Sequence, residues 1–190
     1  MKVFAGLALL LGSVLLSMGV GAGELKGMKF ADEIEVAGKK LVLNGIGIRE
    51  GGVNRLKVYV AGLYLESKTK NHRRILRSKK VKRIELKFLI NVREDSIVTA
   101  WKEGFEKHAG KDYAKIKDRV DKLLTWMSTT DANQSYVFTY VPEKGLECVI
   151  KGKNMGILAG PDFAKIFFAI WLGSPPLDHK LRSHLLGSAE

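Results

Sequence analysis

A chain of 190 residues, 46% of them hydrophobic, is long enough for one domain with a real core plus a targeting segment, and its 27% of charged residues argue against wholesale disorder. The formal net charge of +12 favours anionic partners, whether lipid headgroups, acidic small molecules or nucleic acid, without choosing among them. A single cysteine, Cys148, excludes an intrachain disulfide.

The chain opens on Met1-Lys2. An apolar run follows from Val3 to about Val20, then the small residues Val20-Gly21-Ala22 and the polar Gly23-Glu24. Basic start, apolar stretch and small-residue exit form the pattern of a secretory signal. Residues 1–22 are therefore expected to be a signal peptide cut after Ala22, with residues 23–190 as the mature domain and a periplasmic or secreted location. A retained anchor is the alternative, although the run is at the short end for a span.

Residues 24–38 read as a polar lead-in, strand or loop. Leu41 to Glu50 and Leu56 to Glu66 are β-branched and aromatic runs flanking Gly51-Gly52 and Asn54, which predicts a hairpin. Residues 67–83 carry nine lysines and arginines and read as an exposed connector, with a helical turn near Arg74-Ile75-Leu76. The part from 68 to 83 could meet an anionic membrane surface, or simply be solvated. It has no interleaved aromatics for base stacking, so no nucleic-acid role is expected.

Ile84, Leu86, Phe88, Ile90 and Val92 alternate with polar residues as in a half-buried strand. Ile97, Trp101, Phe105 and His108 recur at helical spacing up to Gly110, and Tyr113, Ile116, Val120, Leu123, Leu124 and Met127 form a second helical stripe. His108 reads as an edge-of-core residue. Strands return at Tyr136–Val141 and Leu146–Ile150, with turns at Pro142–Gly145 and Gly152–Asn154 and a short strand at Ile157-Leu158-Ala159. Cys148 there reads as a small buried side chain rather than a nucleophile. Gly160-Pro161-Asp162 opens a helix with Phe163, Ile166, Phe167, Ile170 and Trp171 on its buried face. Asp178 caps a last helix carrying Leu181, Leu185 and Leu186, closed by Gly187. Antiparallel-looking strand runs around a helical block predict an α+β fold rather than alternating βαβ units.

Phosphate-loop, dinucleotide and nucleophile-elbow motifs are missing from the sequence, and the four histidines have no ligand spacing. Neither a metal nor a cofactor is expected.

Three segments in order resemble the bacterial chalcone isomerase-like family: Leu43-Asn44-Gly45-Ile46-Gly47-Ile48-Arg49, Lys57-Val58-Tyr59-Val60-Ala61-Gly62-Leu63-Tyr64-Leu65-Glu66, and Gly160-Pro161-Asp162-Phe163-Ala164 running on to Ile170-Trp171-Leu172-Gly173. The resemblance implies a large antiparallel sheet with helices layered on one face around an elongated cleft. True chalcone isomerases use an arginine, a threonine and a tyrosine. Arg49 matches the arginine, whereas Tyr59 falls at the threonine and Ile97 near the tyrosine, so one of three is retained. Fatty-acid-binding relatives pair an arginine with a tyrosine on these two strands to hold a carboxylate, and Arg49 with Tyr59 resembles that pair.

The expected site is therefore Arg49, Tyr59, Tyr64 and Trp101, lining a cleft that takes a small carboxylate or fatty-acid-like ligand without catalysis. Its alternative is an intramolecular lyase acting on a chalcone-like substrate, with Tyr59 or Tyr64 beside Arg49. Geometry discriminates. A hairpin centred on Asn54 puts Arg49 opposite Tyr59 on one face. A turn at Gly51-Gly52 displaces them by about five residues, roughly 17 Å.

Overall fold

The computed structural model describes residues 23–52 and 54–188. The expected signal segment, residues 1–22, lies outside them. A small hairpin comes first, β1 (Gly23–Leu25) against β2 (Met28–Phe30). Seven strands then form one antiparallel sheet: β3 (Glu33–Val36), β4 (Lys39–Gly51), β5 (Leu56–Leu65), β6 (Lys82–Phe88), β7 (Ser135–Val141), β8 (Gly145–Ile150) and β9 (Lys153–Leu158). Each lies beside its neighbours in sequence. The helices occupy the connections and the C-terminus. They are α1 (His72–Arg77) between β5 and β6, α2 (Glu94–Ala109) and α3 (Tyr113–Leu124) between β6 and β7, then α4 (Pro161–Leu172) and α5 (His179–Leu185). This is the expected α+β sheet.

The sheet separates two apolar layers. On β5, Tyr59, Ala61, Leu63 and Leu65 join the main core beneath α2 and α4, while Val60 and Tyr64 pack on the other face with Phe30, Leu41 and Leu43. That second face is covered by the β1–β2 hairpin. A side chain at Gly62 would meet the Phe30 ring at 2.5 Å, so the close approach requires glycine there.

Parity along β4 is set by one residue. Leu43 pairs with Tyr64, but Gly45 pairs with Leu63, leaving Asn44 as a bulge. Side-chain direction alternates along a strand, and an extra residue reverses the sense. Before the bulge, Leu41 and Leu43 face the hairpin layer. After it, Gly45 and Gly47 face α5, where a Cβ would lie 2.1 Å from the His184 carbonyl oxygen and 2.9 Å from the Leu181 side chain respectively. Asn44 is buried. Its Nδ2 donates to the Leu185 carbonyl at 2.7 Å and its Oδ1 accepts from the Thr69 amide at 2.8 Å, tying the last helix to the bulge.

Four expectations need correction. Strand β6 stops at Phe88 rather than Val92: the Leu89 amide makes one last in-register bond to the Val58 carbonyl at 2.9 Å, and Val92 keeps only an isolated bridge to Thr130. Strand β9 starts at Lys153, inside the expected turn, because Lys151 and Gly152 (φ 51° and 78°) make a two-residue hairpin turn. Lys82 is not part of an exposed connector: it opens β6, is 4% exposed, and follows the parity of Ile84, Leu86 and Phe88. Phe168 adds a buried position that the helical stripe on α4 did not include.

Candidate ligand-binding cavity

Arg49 and Tyr59 are directly opposed across β4 and β5. Opposed residues of an antiparallel pair project to the same face. Here that face looks onto a cavity of about 530 Å³ between the sheet, α2 and α4, and both side chains line it. The volume falls within the usual range for small-molecule sites. Its walls are largely apolar, with Leu86 and Phe88 from the sheet, Ile97 and Trp101 from α2, and Ile170 from α4.

The Tyr59 hydroxyl accepts a hydrogen bond from Trp171 Nε1 at 3.0 Å. A phenol that accepts one bond still has its own proton to donate. Burial pushes the Tyr59 pKa up to about 12, against smaller lowering effects from the Trp171 bond and the Arg49 charge. The group is thus a neutral donor at physiological pH. Arg49 Nη1 lies 3.5 Å from Asp178 Oδ2, with 24% and 16% of the two side chains exposed. Asp178 also caps α5, its Oδ1 accepting from the Leu181 amide at 3.0 Å. One carboxylate thereby fixes the helix start and partly neutralises the guanidinium. At 3.5 Å the pair is loose, and a guanidinium carries five donors, so Arg49 retains capacity for a bidentate partner.

Trp101 is held in an aromatic cluster. It stacks on Phe167 (5.3 Å, 21°) and meets Trp171 edge-on (5.6 Å, 77°). Helix α2 approaches α4 closely at Gly104, where a Cβ would already touch Ile170 at 3.3 Å. Ile97, near where the resemblance expects a tyrosine, puts an aliphatic side chain on the cavity wall.

Three of the four expected site residues, Arg49, Tyr59 and Trp101, therefore line one cavity. Tyr64 does not. It is 1% exposed and packs in the hairpin-side layer, because five residues separate it from Tyr59 and an odd separation reverses the face of a strand. Sequence reasoning missed Trp171 as the partner of Tyr59, Asp178 as the partner of Arg49, and Tyr136, whose ring lines the cavity while its hydroxyl is bonded to Thr130. The α4 stripe flagged Trp171 as buried but could not name its partner.

Among the described residues, the ionisable groups lining the cavity are Arg49, Arg93, Tyr59 and Tyr136. Arg93 is exposed and paired with Asp95 at 2.5 Å. The lining is positive or neutral throughout. Cys148 lies away from it, buried, with its thiol pushed up to about 12 by desolvation. His108 sits half-buried at the edge of the core, and burial lowers its pKa.

The fold and these positions can be set beside known proteins. No curated protein matches the sequence. Among solved structures, a fatty-acid binding protein from Arabidopsis thaliana is similar over 87% of this chain and 95% of its own, with a TM-score of 0.70 and 17% identity. At that identity the likeness is one of fold. The family model described as chalcone isomerase-like matches residues 22–187. This protein belongs to the chalcone isomerase-like family.

Proposed function

We propose that the protein binds a small molecule with a carboxylate head and an apolar body, of the fatty-acid type, and does so outside the cytoplasm without catalysis. The observation that carries this reading is the opposition of Arg49 and Tyr59 on the wall of a largely apolar cavity. A guanidinium and a neutral phenol supply three donors to one carboxylate, while the hydrocarbon body gains affinity from burial. The Arabidopsis protein of similar fold, described as fatty-acid binding, supports the ligand class. Among the described residues, the cavity lining offers no group poised to exchange a proton near neutral pH, since Tyr59 stays protonated to about 12. The exported location rests on the sequence of residues 1–22.

Isothermal titration with a medium-chain fatty acid tests the reading. Saturable binding is expected, weakened about 10- to 100-fold in Arg49→Ala, the loss of a charge-assisted pair. Unchanged affinity would remove Arg49 from the site. Cyclisation of a chalcone by the wild-type protein, abolished in Tyr59→Phe, would overturn the non-catalytic part.

A further inference from the structure

A second, smaller cavity of about 280 Å³ lies between α1 and the start of α4, and it shares no lining residue with the Arg49 cavity. Four cations line it: Arg77 from α1, Lys79 after it, Lys82 at the head of β6 and Lys165 on α4. The one acidic lining residue, Asp162, is already held by Arg119 through bonds of 2.8 Å and 2.6 Å. Arg77, Lys79 and Lys165 are exposed and form no salt bridge among the described residues.

Two residues with little exposed surface, Lys82 and Tyr140, complete the walls. Lys82, 4% exposed, donates from Nζ to the Ile75 and Ser78 carbonyls at 3.0 Å and 2.6 Å. An ammonium has three protons, so one remains. The ammonium lies 5.0 Å from the centroid of the Tyr140 ring. Tyr140 is also 4% exposed, and its hydroxyl makes no hydrogen bond among the described residues. That hydroxyl keeps solvent access, since the one buried side-chain polar atom without a partner among the described residues is His72 Nδ1, and an incoming acceptor can reach it.

We propose that this pocket binds a phosphoryl group, with Arg77, Lys79 and Lys165 at its mouth and Lys82 and Tyr140 at its floor. Four cations and a free hydroxyl around so small a space suit a multiply charged tetrahedral oxyanion better than a single carboxylate. The size admits the phosphate alone or the headgroup of an anionic lipid. Bound phosphate also favours the charged form of Lys82, whose pKa burial lowers to about 8.

The test compares the wild-type protein with Lys79→Glu/Lys165→Glu and with a control of equal charge change on the exposed face of α2, Lys102→Glu/Lys107→Glu. Each is titrated with inorganic phosphate at constant ionic strength. Each is also sedimented with vesicles containing phosphatidylglycerol or phosphatidylcholine alone. Saturable binding in at least one arm is expected, about tenfold weaker in the pocket variant and within twofold of wild type in the control. Phosphate binding identifies a free anion as ligand. Binding only to phosphatidylglycerol vesicles identifies a headgroup. Equal weakening in both variants would reduce the effect to diffuse charge and overturn the proposal. So would absence of wild-type binding in both arms.

Discussion

Trp171 donates its indole N–H to the hydroxyl of Tyr59, linking α4 to β5 across the floor of the main cavity at 3.0 Å. Both residues are buried, at 2% and 8% exposure. Removing the hydroxyl leaves a buried donor without an acceptor, and that cost exceeds the net worth of the bond itself. Tyr59→Phe is expected to destabilise the protein by about 1–3 kcal/mol in urea unfolding. Tyr59→Phe/Trp171→Phe removes both partners and should recover part of the loss. A double variant no better than the sum of its parts would show that the bond is not the cause.

Asp178 is expected to restrain Arg49. Its carboxylate occupies part of the guanidinium and would repel an incoming carboxylate. Asparagine also caps helices well, so Asp178→Asn should keep the bond to the Leu181 amide and change stability by only a few tenths of a kcal/mol. Affinity for a fatty acid should rise several-fold. Asp178→Ala loses the cap as well and should cost about 1 kcal/mol. Calorimetric titration and thermal melts separate the two effects. A fall in affinity in Asp178→Asn would mean that the ion pair aligns Arg49 rather than competing for it.

Much of this site is legible in the sequence, for a physical reason. Arg49 and Tyr59 average to residue 54, and the turn residues Gly51, Gly52 and Asn54 allow a hairpin with that centre. The observed opposition of Arg49 and Tyr59 agrees. The pairs beside the turn, Gly51 with Leu56 and Glu50 with Lys57, centre half a residue earlier, and a register shift that skips Val58 brings Tyr59 opposite Arg49. Alternation on β6 and β7 and the α2 stripe likewise place the walls. The same parity argument excludes Tyr64, and applied to Lys82 it predicts burial with Ile84, Leu86 and Phe88. There, charge outweighed periodicity in the sequence reading. Long-range partners are a different matter. The Trp171–Tyr59 and Asp178–Arg49 contacts span 112 and 129 residues, and no local pattern encodes them.

Lys82 makes stability depend on pH with a definite sign. Burial lowers its pKa from 10.5 to about 8, with Glu66 opposing weakly. Between those values the unfolded chain binds the extra proton and the folded one does not. Stability from this group is therefore fully present above about 10.5 and is lost as pH falls through about 8, at up to about 1.4 kcal/mol per unit. Tyr59 and Cys148 act in reverse. Their raised values, both about 12, give stability that is present below their ordinary values of 10.0 and 9.0 and is lost as pH rises towards 12. Urea unfolding of wild type and Lys82→Met from pH 7 to 9 isolates the lysine. The wild type should gain on the variant as pH rises, and a constant difference would place Lys82 in solvent.

The approach of α5 to β4 explains why Gly45 is glycine, and the site depends on it. A methyl group at this position would sit 2.1 Å from the His184 carbonyl oxygen and 2.9 Å from that of Leu185. Both obstacles are backbone, so no side-chain rotation relieves the clash. The helix must move. It carries Asp178 at its first turn, and its C-terminal end is tied to the bulge by the bond from Asn44 Nδ2 to the Leu185 carbonyl. Gly45→Ala should therefore cost about 1–3 kcal/mol, the usual range for overpacking. It should also shift Asp178 relative to Arg49 and change fatty-acid affinity, although residue 45 does not line the cavity. Gly52→Ala serves as the comparison. Its Cβ would meet nothing within 4 Å, so any loss of stability there reflects only its positive φ of 72°, and because Gly52 itself lines the cavity the comparison is one of stability, not of affinity. If Gly45→Ala lost stability while binding a fatty acid as tightly as wild type, the position of α5 would have no part in setting the Arg49 site.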